Sequence, residues 1–207
     1  MSASRNSGVQ RYSDLAAGVL VLPPSCGQTR LVAVDGPGGS GKSTFARRLS
    51  AALGDAPVIH TDDFASWDNQ FEWWPRLIEQ VIAPLRRSAT GRYQRYDWVT
   101  RAFSEWHDVA PAPAVVLEGV GAARREFDDD VALTVWIDTP ADLRLRRGIE
   151  RDGEAMRGFW SQWIVGETRH YAEHDTRRRA NLIVSGDPHI AHDPEAEFVT
   201  LTATAVA

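Results

Sequence analysis

Residues 35–44 read Asp-Gly-Pro-Gly-Gly-Ser-Gly-Lys-Ser-Thr. From Gly36 to Ser43 they satisfy the spacing G-x-x-x-x-G-K-[S/T], between a short apolar run and a helical pattern. A glycine-rich turn alone would say little; the whole eight-residue spacing at a strand-to-helix junction points to phosphate. Gly36, Gly38, Gly39 and Gly41 let the backbone curl, so that successive N–H groups, Ser40's included, converge on anionic oxygens. The start of the following helix adds its positive end. Lys42 supplies a point charge for the outer phosphates, Ser43 a hydroxyl for Mg²⁺, and Thr44 a donor to an inner phosphate. The expected ligand is a nucleoside triphosphate, ATP, with Mg²⁺.

Phosphoryl transfer also needs a group that accepts the acceptor's proton, a metal ligand, and cations on the migrating group. Thr61-Asp62-Asp63-Phe64 follows a second apolar run, where a parallel sheet gathers its ligands. Asp62 there could take a proton from a hydroxyl, although Asp-Asp after a strand is commonly a solvated turn or helix cap. Glu118 ends the run Ala-Val-Val-Leu-Glu and could hold Mg²⁺ directly or through water. In Ala141–Asp152, Leu145 and Ile149 share one helical face, and Arg144, Arg147 and Arg151 share another. That face is either a solvated basic surface or a lid that neutralises a transferring phosphate, with Gly148, Gly153 and Gly158 as hinges.

These residues need a frame. Leu31–Val34, Pro57–His60, Ala114–Gly119, Leu133–Asp138 and Leu182–Val184 read as five short buried strands. Helices are expected over 13–22, from Lys42 to Gly54 (apolar face Phe45, Leu49, Ala52, Leu53), over 71–87 with a bend at Pro84, over 140–152 and over 154–179. Strands alternating with helices predict an α/β fold, a parallel sheet covered on both faces. One domain, 1–207, is expected, with residues 1–12 loose. Gly91–Ala110 reads only as a polar, aromatic-rich stretch, and the final Phe-Val-Thr-Leu-Thr-Ala-Thr-Ala-Val-Ala as either an edge strand or a tail.

Composition narrows the partners. The net charge of −5, without a lysine or arginine block, argues against coating nucleic acid or a membrane surface. No apolar run approaches a membrane span, and Leu15–Leu22 is too short for one. The single cysteine, Cys26, makes no internal disulfide, so a cytoplasmic setting is the expectation. Five of the eight tryptophans fall between Trp67 and Trp106. Trp67, Trp73, Trp74, Trp98, Phe103 and Trp106 could form a flat stacking pocket or fill core under a long loop. His107 reads as a satisfied surface or core residue, and Asp128–Asp130 as a solvated loop rather than a metal site.

Taken in order, Gly-Pro-Gly-Gly-Ser-Gly-Lys-Ser-Thr, Asp-Asp-Phe, Arg-Tyr-Asp-Trp, Val-Val-Leu-Glu-Gly-Val and Arg-Leu-Arg-Arg-Gly-Ile-Glu-Arg-Asp, followed by Arg157-Gly158, resemble the uridine kinase family of P-loop nucleoside kinases, across residues 31–186. The resemblance implies a three-layer P-loop kinase sandwich with an acceptor-binding region at 62–110 and a helical lid at 144–160. It gives Asp62 the role of catalytic base, and Lys42, Arg147 and Arg151 that of stabilising the transferred group, with Arg157 a further lid arginine. Tyr96 and Asp97 would lie near the acceptor's base, Trp98 in the aromatic position, and Asp68, after Trp67, at ribose hydroxyls. Glu118 is the acidic strand end, and the Gly186-Asp187 loop would meet the adenine. The sequence departs from the family at Ala65, where a tyrosine is usual, at Arg101, where a histidine touches the pyrimidine, and in a shorter segment after Asp-Asp-Phe. The implied activity is transfer of the γ-phosphate of ATP to a hydroxyl of a small-molecule acceptor, a nucleoside or nucleoside-like compound. A kinase of another metabolite or an antibiotic, and a nucleotide-hydrolysing switch or partner-binding module, stay open, as does a homo-oligomer.

Overall fold

The computed structural model describes residues 8–203. At its centre lie β2 (Arg30–Asp35) and β6 (Ala114–Glu118). Leu31–Val34 and Ala114–Leu117 are all buried, with no polar alternate position, because both faces of these strands are covered. β3 (Val58–His60) pairs with β6, β7 (Val131–Asp138) with β2, and β8 (Leu182–Ser185) with β7, all parallel. This is the expected five-stranded parallel sheet. Two antiparallel strands extend it: β9 (Glu197–Ala203) joins β8, and β1 (Gly8–Arg11) joins β9. The order is β1-β9-β8-β7-β2-β6-β3.

As far as Ala203 the C-terminal stretch is neither edge nor tail but an inner strand; residues 204–207 lie outside the described residues. The edge on that side is β1, within the segment expected to be loose; residues 1–7 of that segment lie outside the described residues. The reason is packing that no local pattern reveals. Phe198 of β9 meets Tyr12 and Phe45 with ring centroids 5.1 and 5.3 Å apart, binding β9 to α1 (Tyr12–Val21) and α2 (Lys42–Ala52).

The pleat divides the core in two. Leu31 and Ala33 of β2 face Leu77, Val81, Ile82 and Leu85. Val32 and Val34 face the other way, toward Val19, Phe45 and Leu49. In α2 the buried face is Phe45, Ala46 and Leu49; Ala52, expected on it, is exposed because the helix ends there.

The segment expected as one helix over 71–87 is α3 (Trp74–Leu77), a wide π turn (Ile78–Ile82) and α4 (Ala83–Arg86). Pro84 has no N–H to offer a preceding carbonyl, so the ladder is disturbed at this point. Gly91–Ala110 contains a separate hairpin, β4 (Gly91–Asp97) and β5 (Ala102–Val109), with a bulge between Gln94 and Tyr96. β5 is exposed along nearly its whole length and so carries no apolar alternation to read. After α5 (Ala141–Asp152) comes a short 3₁₀ turn, then α6 (Arg157–His174) and α7 (Thr176–Arg179), separated where Asp175 adopts φ 51°.

Candidate functional site

The parallel strands end together, so Asp35, Thr61–Asp63, Glu118 and Asp138 gather along one rim. There β2 turns through residues 36–41 into α2. Gly39 and Gly41 take φ 75° and 101°, left-handed conformations that a side chain would strain. A Cβ on Gly39 would also run into the Arg144 carbonyl. Lys42 Nζ donates to Pro37 O at 3.0 Å, closing the loop on itself. No side chain caps α2, and the Ser40 hydroxyl is buried without a partner among the described residues. A curled backbone, an uncapped helix N-terminus and a lysine at its first turn suit a polyphosphate.

A cavity of about 620 Å³ opens in front of this loop. Gly38, Gly39 and Gly41–Thr44 line it together with Asp62, Glu118, Arg147 and Arg151. Of the two consecutive aspartates, Asp63 turns inward, accepting the Tyr93 hydroxyl at 2.9 Å and pairing with Arg95 at 3.3 Å. Asp62 alone lines the cavity. Its side chain keeps accessible surface there, yet protein crowds it on the other sides. That enclosure pushes its carboxyl above the ordinary range, opposed by Lys42 and supported by the like charges of Glu118 and Asp63. A carboxylate made more basic in this way is a better proton acceptor.

Glu118 is buried and bonded to His60 Nδ1 at 2.5 Å, its neighbour in the β3–β6 register. The contact raises the imidazole's pKa. Glu118 and Ser43 line the same cavity and offer the oxygen ligands that Mg²⁺ prefers. No group of three or more His, Cys, Asp or Glu that could cage a metal occurs among the described residues.

Two carboxylates escaped the sequence reading. Asp35, fully buried at the end of β2, accepts the N–H groups of Gly36, Gly121 and Ala123 at 2.7, 3.0 and 2.9 Å and the Tyr171 hydroxyl at 2.8 Å. It ties the loop to the turn after β6 and to α6; an acid abutting the glycines was its only local signal. Glu167 of α6 accepts Gly38 N–H at 2.5 Å and Trp163 Nε1–H at 3.1 Å on one oxygen, and Arg144 at 3.0 Å on the other. Nothing in the sequence marked it, since its partners lie on other elements or across a helical turn.

The arginine face expected on α5 divides. Arg147 lines the cavity and donates to Gly186 O at 3.1 Å. Arg151 lines it too, held by its neighbour Asp152 at 2.7 and 2.9 Å. Arg144 is drawn off to Glu167. Arg157 pairs with Glu154, outside the cavity lining. Among the glycines read as hinges, only Gly153 has an unusual backbone, φ 90°, where α5 ends. Gly148 instead makes room for the Trp160 ring, which a Cβ would overlap.

On the acceptor side, Trp67 and Trp98 line the cavity. Tyr96 lies buried behind Trp98, edge-on at 5.1 Å. Asp97 accepts the N–H groups of Val99 and Thr100 at 2.8 and 3.0 Å, which lower its pKa and occupy it as a turn cap. The Arg101 guanidinium lies 5.2 Å from the Trp67 ring centre, and Asp68 is exposed; neither lines the cavity. Trp73 is core, whereas Trp106 is half exposed beside Arg92. Gly186 lines a second hollow behind the loop with Gly41, Thr44, Phe45 and Arg147, while Asp187 faces a different one beside Pro140 and His189.

Comparison with known proteins converges on one group. Residues 64–175, more than half the chain, match the family described as Phosphoribulokinase / Uridine kinase family. A uridine kinase of Halobacterium salinarum is 27% identical over 178 residues, covering 74% of this chain and 78% of that protein. A uridine kinase of Borrelia hermsii is 22% identical over 191 residues, covering 82% and 91%. Among solved structures, one described as a possible uridine kinase from Bacillus stearothermophilus superposes with a TM-score of 0.62 at 20% identity, over 83% of this chain and 96% of its own. No helix among the described residues is long and apolar enough to cross a membrane.

Proposed function

This chain belongs to the phosphoribulokinase / uridine kinase family, and on that premise we propose that it transfers the γ-phosphate of ATP to a hydroxyl of a small nucleoside-like acceptor. The observation that carries the reading is the single cavity shared by the phosphate loop and Asp62, with Asp63 turned away into the core. ATP's phosphates lie along Gly36–Thr44, and its base occupies the hollow that reaches Gly186. The acceptor enters from the side of Trp67 and Trp98, within the region 62–110, and the segment 144–160 acts as a lid. Asp62 orients the acceptor hydroxyl and takes its proton as the oxygen attacks the γ-phosphorus and the bond to the β–γ bridging oxygen breaks, releasing ADP. Lys42, Arg147 and Arg151 spread positive charge around the transferred group. Mg²⁺, held by Ser43 and Glu118, would neutralise charge on the phosphate oxygens.

The test is ADP release from Mg·ATP with a panel of alcohols, in wild type and in Asp62→Asn. The variant should bind ATP normally and lose about 10²–10⁴-fold in kcat, the usual value of a positioned base. A near-normal rate removes Asp62 from the mechanism; ADP release indifferent to every acceptor removes the kinase reading.

A further inference from the structure

The acceptor half of the cavity differs in character from the phosphate half. Its wall is a continuous chain of rings: Trp98 meets Trp67 at 5.5 Å, Trp67 meets Phe159 of α6 at 5.2 Å, and Phe159 meets Trp163 at 6.0 Å. All four line the cavity, with Trp160 beside them. The polar tips of three indoles are already spent on protein. Trp67 Nε1 donates to Trp98 O at 3.1 Å, Trp160 Nε1 to Asp152 at 3.0 Å, and Trp163 Nε1 to Glu167 at 3.1 Å.

The side chains that could read a polar edge are engaged elsewhere. Asp97 caps its own turn, Arg101 lies against Trp67, and Asp68 points to solvent; none lines the cavity. Asp152 and Arg151, which line the cavity near Trp160, hold each other, and Asp152 also accepts the Trp160 N–H; besides these and Met156, this part of the cavity offers ring surface. Rings bind planar groups by dispersion and stacking, which tolerate any ring with a π-face. A polar edge buried against such a wall loses its water without a replacement.

We propose that the acceptor is an alcohol carried on a planar aromatic body, held by the face of its ring and not by hydrogen bonds to its edge. This rests on the kinase reading and narrows it: a nucleoside is accepted for the flatness of its base, and an aryl alcohol without base-edge donors or acceptors serves as well. Asp62 then meets the one hydroxyl within reach.

The experiment compares kcat/KM for uridine, its phenyl riboside counterpart, 2-(indol-3-yl)ethanol and the non-planar polyol ribitol, and follows quenching of intrinsic tryptophan fluorescence by each compound without ATP. The phenyl riboside should match or exceed uridine to within about threefold, because a ring wall discriminates weakly between edges. Ribitol should be poorer by on the order of a hundredfold for want of stacking. Trp98→Leu should raise KM for the planar acceptors by on the order of tenfold or more and leave KM for ATP unchanged; should it not fold, the wild-type comparison decides alone. A preference for uridine over the phenyl riboside above about thirtyfold, or for ribitol over both, overturns the inference and leaves the kinase intact. Quenching by the planar alcohols with no ADP released supports the ring wall and sinks the kinase reading. Neither quenching nor turnover with any planar compound overturns the inference.

Discussion

Glu167→Gln probes how the phosphate loop is held. Glu167 is 2% exposed, and the side chain of its partner Arg144 is 13% exposed. A glutamine has the same shape but one acceptor oxygen. Directed at Gly38 N–H and Trp163 Nε1–H, that oxygen keeps two of the three bonds, and the amide NH₂ then faces the guanidinium, donor against donor. The charge-assisted bond that is lost contributes about 1.5–3 kcal/mol. Stranding a fully buried charge costs about 3–5 kcal/mol, but Arg144 retains some water and a weak contact to Gly38 O, so the total expected is about 2–4 kcal/mol. For a chain of this size that lowers Tm by about 5–15 °C. Thermal unfolding of wild type, Glu167→Gln, Arg144→Gln and the double variant is the assay. The double variant should be destabilised by about 2 kcal/mol less than the sum of the singles. A Tm within about one degree of wild type, or strict additivity, would mean that this network does not anchor the loop.

Other perturbations test the surrounding frame. His170 stacks on Phe71, and its pKa is pushed down to about 3, first by burial, then by His174 and Arg124, with Glu126 opposing. Its folded pKa lies below the ordinary 6.5, so the unfolded chain binds the extra proton; the stability is present above about pH 6.5 and lost as pH falls toward 3. Between pH 7.5 and 5 the loss is about 2 kcal/mol, to which the similarly lowered His174 adds. Urea midpoints at the two pH values should show this loss, and His170→Phe should reduce it; an equal loss in the variant assigns it elsewhere. Gly148→Ala should cost about 1–3 kcal/mol by displacing Trp160, whereas Gly158→Ala, which meets open space, should be neutral or stabilising by up to about 1 kcal/mol. Chemical denaturation that ranks the two the other way would refute the close approach of α5 and α6.

What could be read from the chain was what neighbours along it decide. The loop from Gly36 to Thr44 is one turn whose chemistry lies within nine residues. β2 and β6 announced themselves because burial on both faces leaves an unbroken aliphatic run. The hairpin β4–β5 did not, because an exposed strand places no demand on its side chains.

The tertiary structure alone chose among equivalent candidates. Asp62 and Asp63 are indistinguishable locally; Tyr93 and Arg95 of the hairpin capture one and leave the other to the cavity. Arg144 and Arg147 share a helical face until Glu167 takes the first. Asp35 reaches donors 86 and 88 residues away at Gly121 and Ala123, and Glu167 reaches one 129 residues away at Gly38. Local preference sets where a chain turns and which face it buries; which polar groups are consumed in holding it together, and which remain for a ligand, is decided only when distant segments meet.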